Sequence, residues 1–108
     1  MSAGLRLAES GDRPDAVFAA NDLVALGVLQ GLGIIAGRRV PDEIAIVGYD
    51  DIDFAASAAV PITSVRQPRD RIGAQALELL LTELDGDPER HRIVFQPELI
   101  VRRSSAAN

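Results

Sequence analysis

Two apolar runs in this sequence stop at the same kind of polar pair. The run VFAA leads into Asn21-Asp22, and the run IAIVGY leads into Asp50-Asp51. If both runs are strands of a parallel sheet, their carboxyl ends share the edge at which open α/β sheets bind ligands. An amide both donates and accepts hydrogen bonds, and a carboxylate accepts them with the added strength of its charge. This combination suits a small ligand with several hydroxyl groups, such as a sugar.

Each pair also has a structural explanation, because short polar side chains cap the first turn of a helix. Either Asn21 or Asp22 can cap the helix expected after the first run. Adjacent residues at a strand end point in different directions, so Asp50 and Asp51 do not form a general acid/base couple. We expect one carboxylate of that pair to accept hydrogen bonds from a ligand and the other to cap the next helix. The residues by themselves leave open which does which.

No other group of residues in the sequence indicates catalysis or metal binding. There is no Cys and one His, His91, which excludes thiolate and His-cluster metal sites, and no nucleophile–base pair is visible. The glycines in residues 31–37 follow a predicted helix and miss the GxGxxG spacing, so we assign them to helix packing and a helix end. A solvated helix start explains Arg66, Arg69 and Arg71 better than an anion site. We therefore predict no enzyme, no cofactor and no metal ion.

The composition is that of one small acidic domain. Its 108 residues are 47% hydrophobic, which is enough for a core, and the net charge of −5 has the wrong sign for a free-standing DNA-binding module. No basic segment followed by a long apolar stretch opens the sequence, and its apolar runs are too short to span a membrane. We therefore expect a cytoplasmic protein with no membrane segment.

Hydrophobic periodicity predicts the elements that position these residues. The predicted strands cover residues 16–20, 43–49, 63–66, 93–95 and 99–101. The predicted helices cover residues 3–10, 22–36, 51–59 and 69–84, the last with a wide apolar face. This order of elements predicts an α/β fold with a mostly parallel sheet flanked by helices.

Four motifs occur in order along the chain. Residues 18–27, FAANDLVALG, carry the pattern ANDxxAxG, and residues 40–52, VPDEIAIVGYDDI, are similar to VPxDxxVxGxDD. Residues 61–68, PITSVRQP, are similar to PxLTTVxQP, and residues 98–105, ELIVRRSS, match ELxxRxS. With these motifs in register, the chain resembles the LacI-type (lactose-repressor-like) bacterial transcription regulators.

The resemblance implies a partial periplasmic-binding-protein-like (type I) core, with residues 1–108 as its C-terminal part. Residues 1–66 and 98–105 would belong to the C-terminal lobe. Residues 67–97 would pack against an N-terminal lobe. Without that lobe the helix at 69–84 would expose its apolar face, so we predict that the chain dimerises or exchanges residues 69–108 between copies.

The resemblance also assigns residues to the ligand. It implies ligand contacts by Asn21, Asp50 and Gln67, and leaves helix capping to Asp22 and Asp51. In this family a small effector, here expected to be a sugar, binds between the lobes and changes operator affinity. DNA is expected to bind only through a headpiece that these residues do not include. The subunit contacts of the family lie near the face of the 22–36 helix and the 55–61 segment, which predicts a homodimer.

Two other functions fit the sequence less well. A periplasmic sugar-binding protein has the same lobe architecture, but it would need a signal peptide and would match VPxDxxVxGxDD less closely. A receiver-like phosphotransfer domain built on Asp50-Asp51 would need a later Lys, and the sequence contains none.

Overall fold

The computed structural model describes residues 2–9, 14–86 and 92–106. The chain forms two compact units. Residues 1–66 and 98–108 form the first unit, which holds the sheet, and residues 67–97 form the second. The assignment of these segments to the lobes of a larger core stays a prediction.

The first unit is built on a four-stranded sheet in the order β1-β2-β3-β4. The strands are β1 (Ala16–Phe18), β2 (Ala45–Tyr49), β3 (Thr63–Arg66) and β4 (Glu98–Ile100). The first three run parallel, and β4 pairs antiparallel with β3. This mostly parallel sheet, with helices along the chain between its strands, confirms the predicted fold class.

The parallel register brings the carboxyl ends of β1 and β2 to one edge. Phe18, the last residue of β1, pairs with Val47, and Tyr49, the last residue of β2, pairs with Val65. The backbone N–H of Ala19 still donates to the Val47 carbonyl at 2.8 Å. The polar pairs that follow the two strands therefore leave the sheet at the same edge.

The helices of the first unit are short. They are α1 (Ser2–Glu9), α2 (Asp22–Val28) with a π-helical continuation (Leu29–Ile35), and α3 (Asp53–Ser57). The glycines of the π-helical segment permit close packing, as predicted, because a Cβ built on Gly4 of α1 would lie 3.0 Å from Gly31 Cα. The helical segment that starts at Asp22 is followed by Gly37, which adopts φ +73°.

The core lies where the first-unit helices cover the sheet. Its buried members are all aliphatic: Ala19, Ala25, Val28, Leu29, Leu32, Ile44, Ile46, Ala55 and Ile62. β2 is buried at Ile46 and Gly48 and partly buried at its other positions, as expected of a central strand in a mostly parallel sheet. The core therefore holds β2 rigidly beneath the polar edge.

Several of the predicted elements differ from those in the structure. Residues 92–97 form no regular strand, because β3 ends at Arg66, which pairs with Glu98 and leaves no ladder position on β3 for residues 93–95. β1 ends two residues early, where the chain turns into α2. α3 begins only at Asp53, because the two residues at the end of β2, Asp50 and Asp51, have positive φ angles and cannot continue a helix.

The second unit contains α4 (Arg69–Leu84), and its described residues 92–97 have no regular secondary structure. None of the α4 residues is buried, and Leu77, Leu80 and Leu84 are exposed. The Arg71 guanidinium lies 5.3 Å from the centre of the Phe95 ring, within the range of a cation–π contact. In the described part of the chain, no helix is both long enough and apolar enough to cross a bilayer.

Candidate functional site

Asn21 is the N-cap of α2. Its Oδ1 accepts a hydrogen bond from the Val24 backbone N–H at 2.9 Å, and its carbonyl accepts one from Ala25 at 3.0 Å. The prediction that Asp22 caps this helix was therefore wrong. Within residues 2–9, 14–86 and 92–106, the Asn21 side-chain nitrogen makes no hydrogen bond, so this donor remains available at the sheet edge.

Asp22 is fully buried and joins three parts of the first unit. Its Oδ1 accepts from the Ser64 hydroxyl at 2.7 Å, and its Oδ2 accepts from the Ile52 backbone N–H at 2.8 Å. Gly48 leaves the space for this carboxylate, because a Cβ there would collide with Asp22 Oδ1. A buried carboxylate is tolerated only when it is hydrogen-bonded, and both Asp22 oxygens are.

Asp51 is also buried, at 6% exposure, but it is held by cations. Its Oδ2 accepts from Arg66 Nε at 2.7 Å. Arg102 Nη2 lies 2.7 Å from the other oxygen, Oδ1, in an ionic contact without hydrogen-bond alignment. The N-cap of α3 is Ile52, with no side-chain hydrogen bond, so the predicted capping role of Asp51 was wrong.

The environment of Asp51 keeps its carboxyl group ionised. Burial raises the pKa of Asp51, but contact with the Arg66 and Arg102 guanidinium groups lowers it by more. The net result is a pKa below the ordinary value of 3.8. At neutral pH the three side chains therefore form a charged group, which we call the Asp51 clamp (Asp51, Arg66 and Arg102).

The C-terminal segment holds Arg102 in place. Arg102 Nη1 donates to the Ile62 carbonyl at 2.8 Å, and its backbone N–H donates to Thr63 Oγ1 at 2.8 Å. Two residues on, the buried Ser104 hydroxyl accepts from the Thr63 N–H at 2.8 Å and donates to the Ile46 carbonyl. Sequence reasoning missed this network. Its only signal was the polar Thr63-Ser64 pair inside a predicted strand.

Asp50 differs from its neighbour because its side chain is exposed. Its φ of +102° and the φ of +54° at Asp51 lie in the left-handed region, which costs a residue other than glycine about 1–3 kcal/mol. The Asp50 N–H donates to the Val65 carbonyl at 3.0 Å. Among the described residues no donor or cation contacts the Asp50 carboxylate. This carboxylate is therefore an available acceptor at the sheet edge.

The structure places two of the three predicted ligand residues at one edge. Asn21 follows β1 and Asp50 follows the adjacent strand, β2. Gln67 is the first residue of the second unit, so its ligand role stays a prediction. Phe18, the last residue of β1, was not among the predicted ligand residues and is 68% exposed. In the described ranges no cluster of three His, Asp or Glu side chains is arranged to hold a metal ion.

An open groove lies on a second surface of the first unit, between the α2 and π-helical face and the segment after α3. Its lining is mostly apolar: Leu23, Leu26, Gly27, Leu29, Gln30, Ile34, Ala58 and Ala59. Leu23 and Ile34 are largely exposed. This groove coincides with the surface at which we predicted subunit contacts.

Comparison with known proteins identifies the family. A family model described as a periplasmic binding protein-like domain matches residues 1–105. The HTH-type transcriptional repressor PurR of Photobacterium profundum is 40% identical over 94 residues, which cover 86% of this chain and 28% of that protein. The chain belongs to the LacI-type regulators. This confirms the resemblance found in the four motifs and their order.

Solved structures of LacI-type regulators share this fold. A LacI family transcriptional regulator from Lactobacillus casei with bound glucose aligns with a TM-score of 0.81 at 39% identity, over 96% of this chain and 37% of that one. The lac repressor dimer bound to operator and the anti-inducer ONPF aligns with a TM-score of 0.88 at 26% identity, over 98% of this chain and 37% of that one. The chain thus spans less than two-fifths of the length of these proteins.

Proposed function

We propose that this chain is the effector-binding part of a LacI-type transcription regulator and that its sheet edge binds a small ligand with several hydroxyl groups. The observation that carries the proposal is the state of Asp50. Its backbone is held at a positive φ angle, and its exposed carboxylate is not contacted by any donor or cation among the described residues. Strained residues of this kind persist where their surroundings over-determine them, and they cluster at ligand sites.

The chemistry of the edge favours a sugar. Asp50 can accept hydrogen bonds from two neighbouring hydroxyl groups, and the Asn21 amide can donate to a third hydroxyl oxygen. The exposed ring of Phe18 adds an apolar face of the kind that packs against a sugar ring. We assign Gln67 as a further contact. The glucose bound to the Lactobacillus casei regulator supports this ligand class.

The proposed activity is regulation of DNA binding by the ligand. A ligand that binds one arrangement of the regulator better than another shifts the population toward the first arrangement and changes operator affinity by the same free energy. We assign operator contact to a separate headpiece, because the net charge of −5 would repel DNA phosphates. The proposal therefore places the protein in the cytoplasm and includes no catalytic step, cofactor or metal.

We also propose that two copies pair through the groove lined by Leu23 and Ile34. Exposed apolar side chains around a groove are typical of protein–protein contacts, and the lac repressor relative is a dimer. In the intact regulator, Leu23→Glu would place a charge in that contact and should convert dimers to monomers in sedimentation experiments. Val24→Glu, on the adjacent helix position outside the groove lining, is the matched control. Equal sedimentation of both variants and the unchanged protein would contradict this interface.

The second unit supports an additional contact in the chain taken by itself. The exposed leucines of α4 form an apolar surface that exchange of residues 69–108 between two copies would cover. Sedimentation at micromolar concentration should then show a dimer even for Leu23→Glu. A strictly monomeric Leu23→Glu chain would overturn the exchange.

One alternative function has support in the family model, which is described as a periplasmic binding protein-like domain. A sugar-binding protein of a transporter would use the same edge for the same ligand class. The sequence upstream of residue 1 in the gene separates the two. A helix-turn-helix supports the regulator, and a secretory signal supports the transport protein.

Calorimetry of the intact regulator against monosaccharides, disaccharides and purine bases tests the ligand proposal. Asp50→Asn tolerates the left-handed conformation but removes the charge, and Asn21→Asp keeps the capping oxygen but removes the N–H donor. Loss of one charge-assisted hydrogen bond should lower sugar affinity about 10- to 100-fold. Asp42→Asn, an exposed aspartate before the opposite end of β2, should leave affinity unchanged. Unchanged sugar binding by both edge variants would refute the ligand site at the sheet edge. If the regulator bound purines and no sugar, the assignment of a sugar as the ligand would be refuted.

A further inference from the structure

We infer that the Asp51 clamp is a positioning device for the ligand site, and that Arg102 is a positioning residue that sets ligand affinity through Asp50. The inference rests on the proposed ligand role of Asp50. It concerns residues that do not themselves contact the ligand. Its basis is the set of contacts that hold the strained turn after β2: hydrogen bonds of its backbone to β3 and α2, and the contacts of Asp51 with two arginines.

The turn is anchored by three consecutive backbone N–H groups. That of Asp50 donates to the Val65 carbonyl, that of Asp51 to the Ser64 hydroxyl at 2.9 Å, and that of Ile52 to Asp22 Oδ2. These bonds attach the turn to β3 and to α2. They leave the side-chain end of Asp51 to be fixed by other groups, and the clamp arginines supply that attachment.

The attachment through Asp51 is the part of the turn that depends on charge. A carboxylate at 6% exposure is costly without a counterion, whereas Asp22 nearby is satisfied by neutral donors. When a clamp arginine is removed, the Asp51 side chain has to move toward water or take up a proton. Because Asp51 itself sits at φ +54°, that movement releases its backbone, and Asp50 is the next residue along the chain.

Arg102 is the more rigid arm of the clamp. Its side chain is 16% exposed and also bonds the Ile62 carbonyl, whereas the Arg66 side chain is 48% exposed. The segment that carries Arg102 is fixed two residues later by the buried Ser104. The ligand edge is thus supported by a residue about fifty positions away in sequence. We expect a larger effect on affinity from loss of Arg102 than from loss of Arg66.

The experiment measures sugar affinity of the intact regulator by calorimetry for Arg102→Ala, Arg66→Ala and the control Arg103→Ala. Arg103 is the adjacent, exposed arginine, so its removal makes the same change in net charge without touching the clamp. We expect Arg102→Ala to weaken sugar binding about 10-fold, the lower end of the roughly 10- to 100-fold losses seen when a residue that orients a metal ligand is removed. Arg66→Ala should have a smaller effect and Arg103→Ala none.

A double-mutant cycle with Asp50→Asn separates positioning from general destabilisation. If Arg102 acts through the Asp50 carboxylate, Arg102→Ala should weaken sugar binding in the unchanged protein but add little in the Asp50→Asn background. In addition, amide hydrogen exchange should accelerate at residues 50–52 while Ile46 in the core stays protected. If Arg102→Ala does not fold, Arg102→Lys, which keeps the charge but cannot repeat both guanidinium contacts, replaces it in the cycle.

The outcomes distinguish this inference from the proposed function. Unchanged affinity in Asp50→Asn refutes the ligand role of Asp50, on which the inference rests. If Asp50→Asn lowers sugar affinity but Arg102→Ala binds sugar as tightly as the control Arg103→Ala, only the inference is overturned. Equal losses from Arg102→Ala in both Asp50 backgrounds also overturn it, because the effect would then not pass through Asp50.

Discussion

At the carboxyl edge of the sheet, β1 and β2 are each followed by one outer and one buried polar residue, but the two buried residues are held by different kinds of partner. Each end turns one polar side chain outward, Asn21 or Asp50, and buries the next one, Asp22 or Asp51. Asp22 is satisfied by neutral donors, and Asp51 is held by two arginines. Neighbouring residues of almost the same chemistry thus serve different purposes. The buried member holds the fold, and the outer member is the one to which we assign ligand contact.

The largest effect should come from the neutral side of this comparison. Asp22→Ala leaves the Ser64 hydroxyl and the Ile52 N–H buried without their acceptor. We expect the free energy of unfolding to fall by about 3 kcal/mol, the sum of penalties of roughly 1–3 kcal/mol for each unsatisfied group. Urea unfolding of the chain measures it, with the exposed Asp42→Ala as the control. A loss equal to that of Asp42→Ala would show that the buried carboxylate does not hold the edge.

Gly48→Ala tests the space around the same carboxylate. The new Cβ would collide with Asp22 Oδ1, so we expect a loss of about 1–3 kcal/mol in the free energy of unfolding. In the double variant with Asp22→Ala the collision is gone. The double variant should therefore lose less unfolding free energy than the sum of the losses in the two single variants. Strict additivity would contradict the contact.

The charged side of the comparison should respond to acid. Because the pKa of Asp51 is lower in the folded than in the unfolded chain, the unfolded chain binds more protons between the two values. The stability contributed by Asp51 is therefore present above about pH 4 and is lost as the pH falls through the folded pKa. Urea unfolding measured from pH 7 to acid should show that the difference in the free energy of unfolding between the unchanged protein and Asp51→Asn becomes smaller. A difference that stays constant with pH would show that the clamp is not ionic.

The smallest effect should appear at the outer member of the β1 end. Asn21→Ala removes the cap of α2 and should lower the free energy of unfolding by about 1 kcal/mol. Asn21→Asp keeps a capping oxygen and should change the free energy of unfolding by only a few tenths of a kcal/mol. Thermal unfolding of the two variants measures the difference. Equal losses would show that capping is not what Asn21 contributes to the fold.

Local sequence signals were sufficient for the order of the elements. The polar pairs follow β1 and β2 closely, and α4 ends at Leu84 as predicted, two residues before Gly86, which adopts φ +85°. These signals act within a few residues, so they can be read without tertiary contacts. The absent strand at residues 93–95 shows the limit of such signals, because an apolar run becomes a strand only where a neighbouring strand offers a free edge.

The sequence by itself determined the α/β order, the edge that carries the polar pairs and the family to which the chain belongs. It did so because strand periodicity, helix stops and motif spacing are properties of short segments. Only the tertiary structure decided which member of each pair is buried. That choice depends on Gly48 leaving space for Asp22, and on Arg102 arriving from the far end of the chain to balance the charge of Asp51.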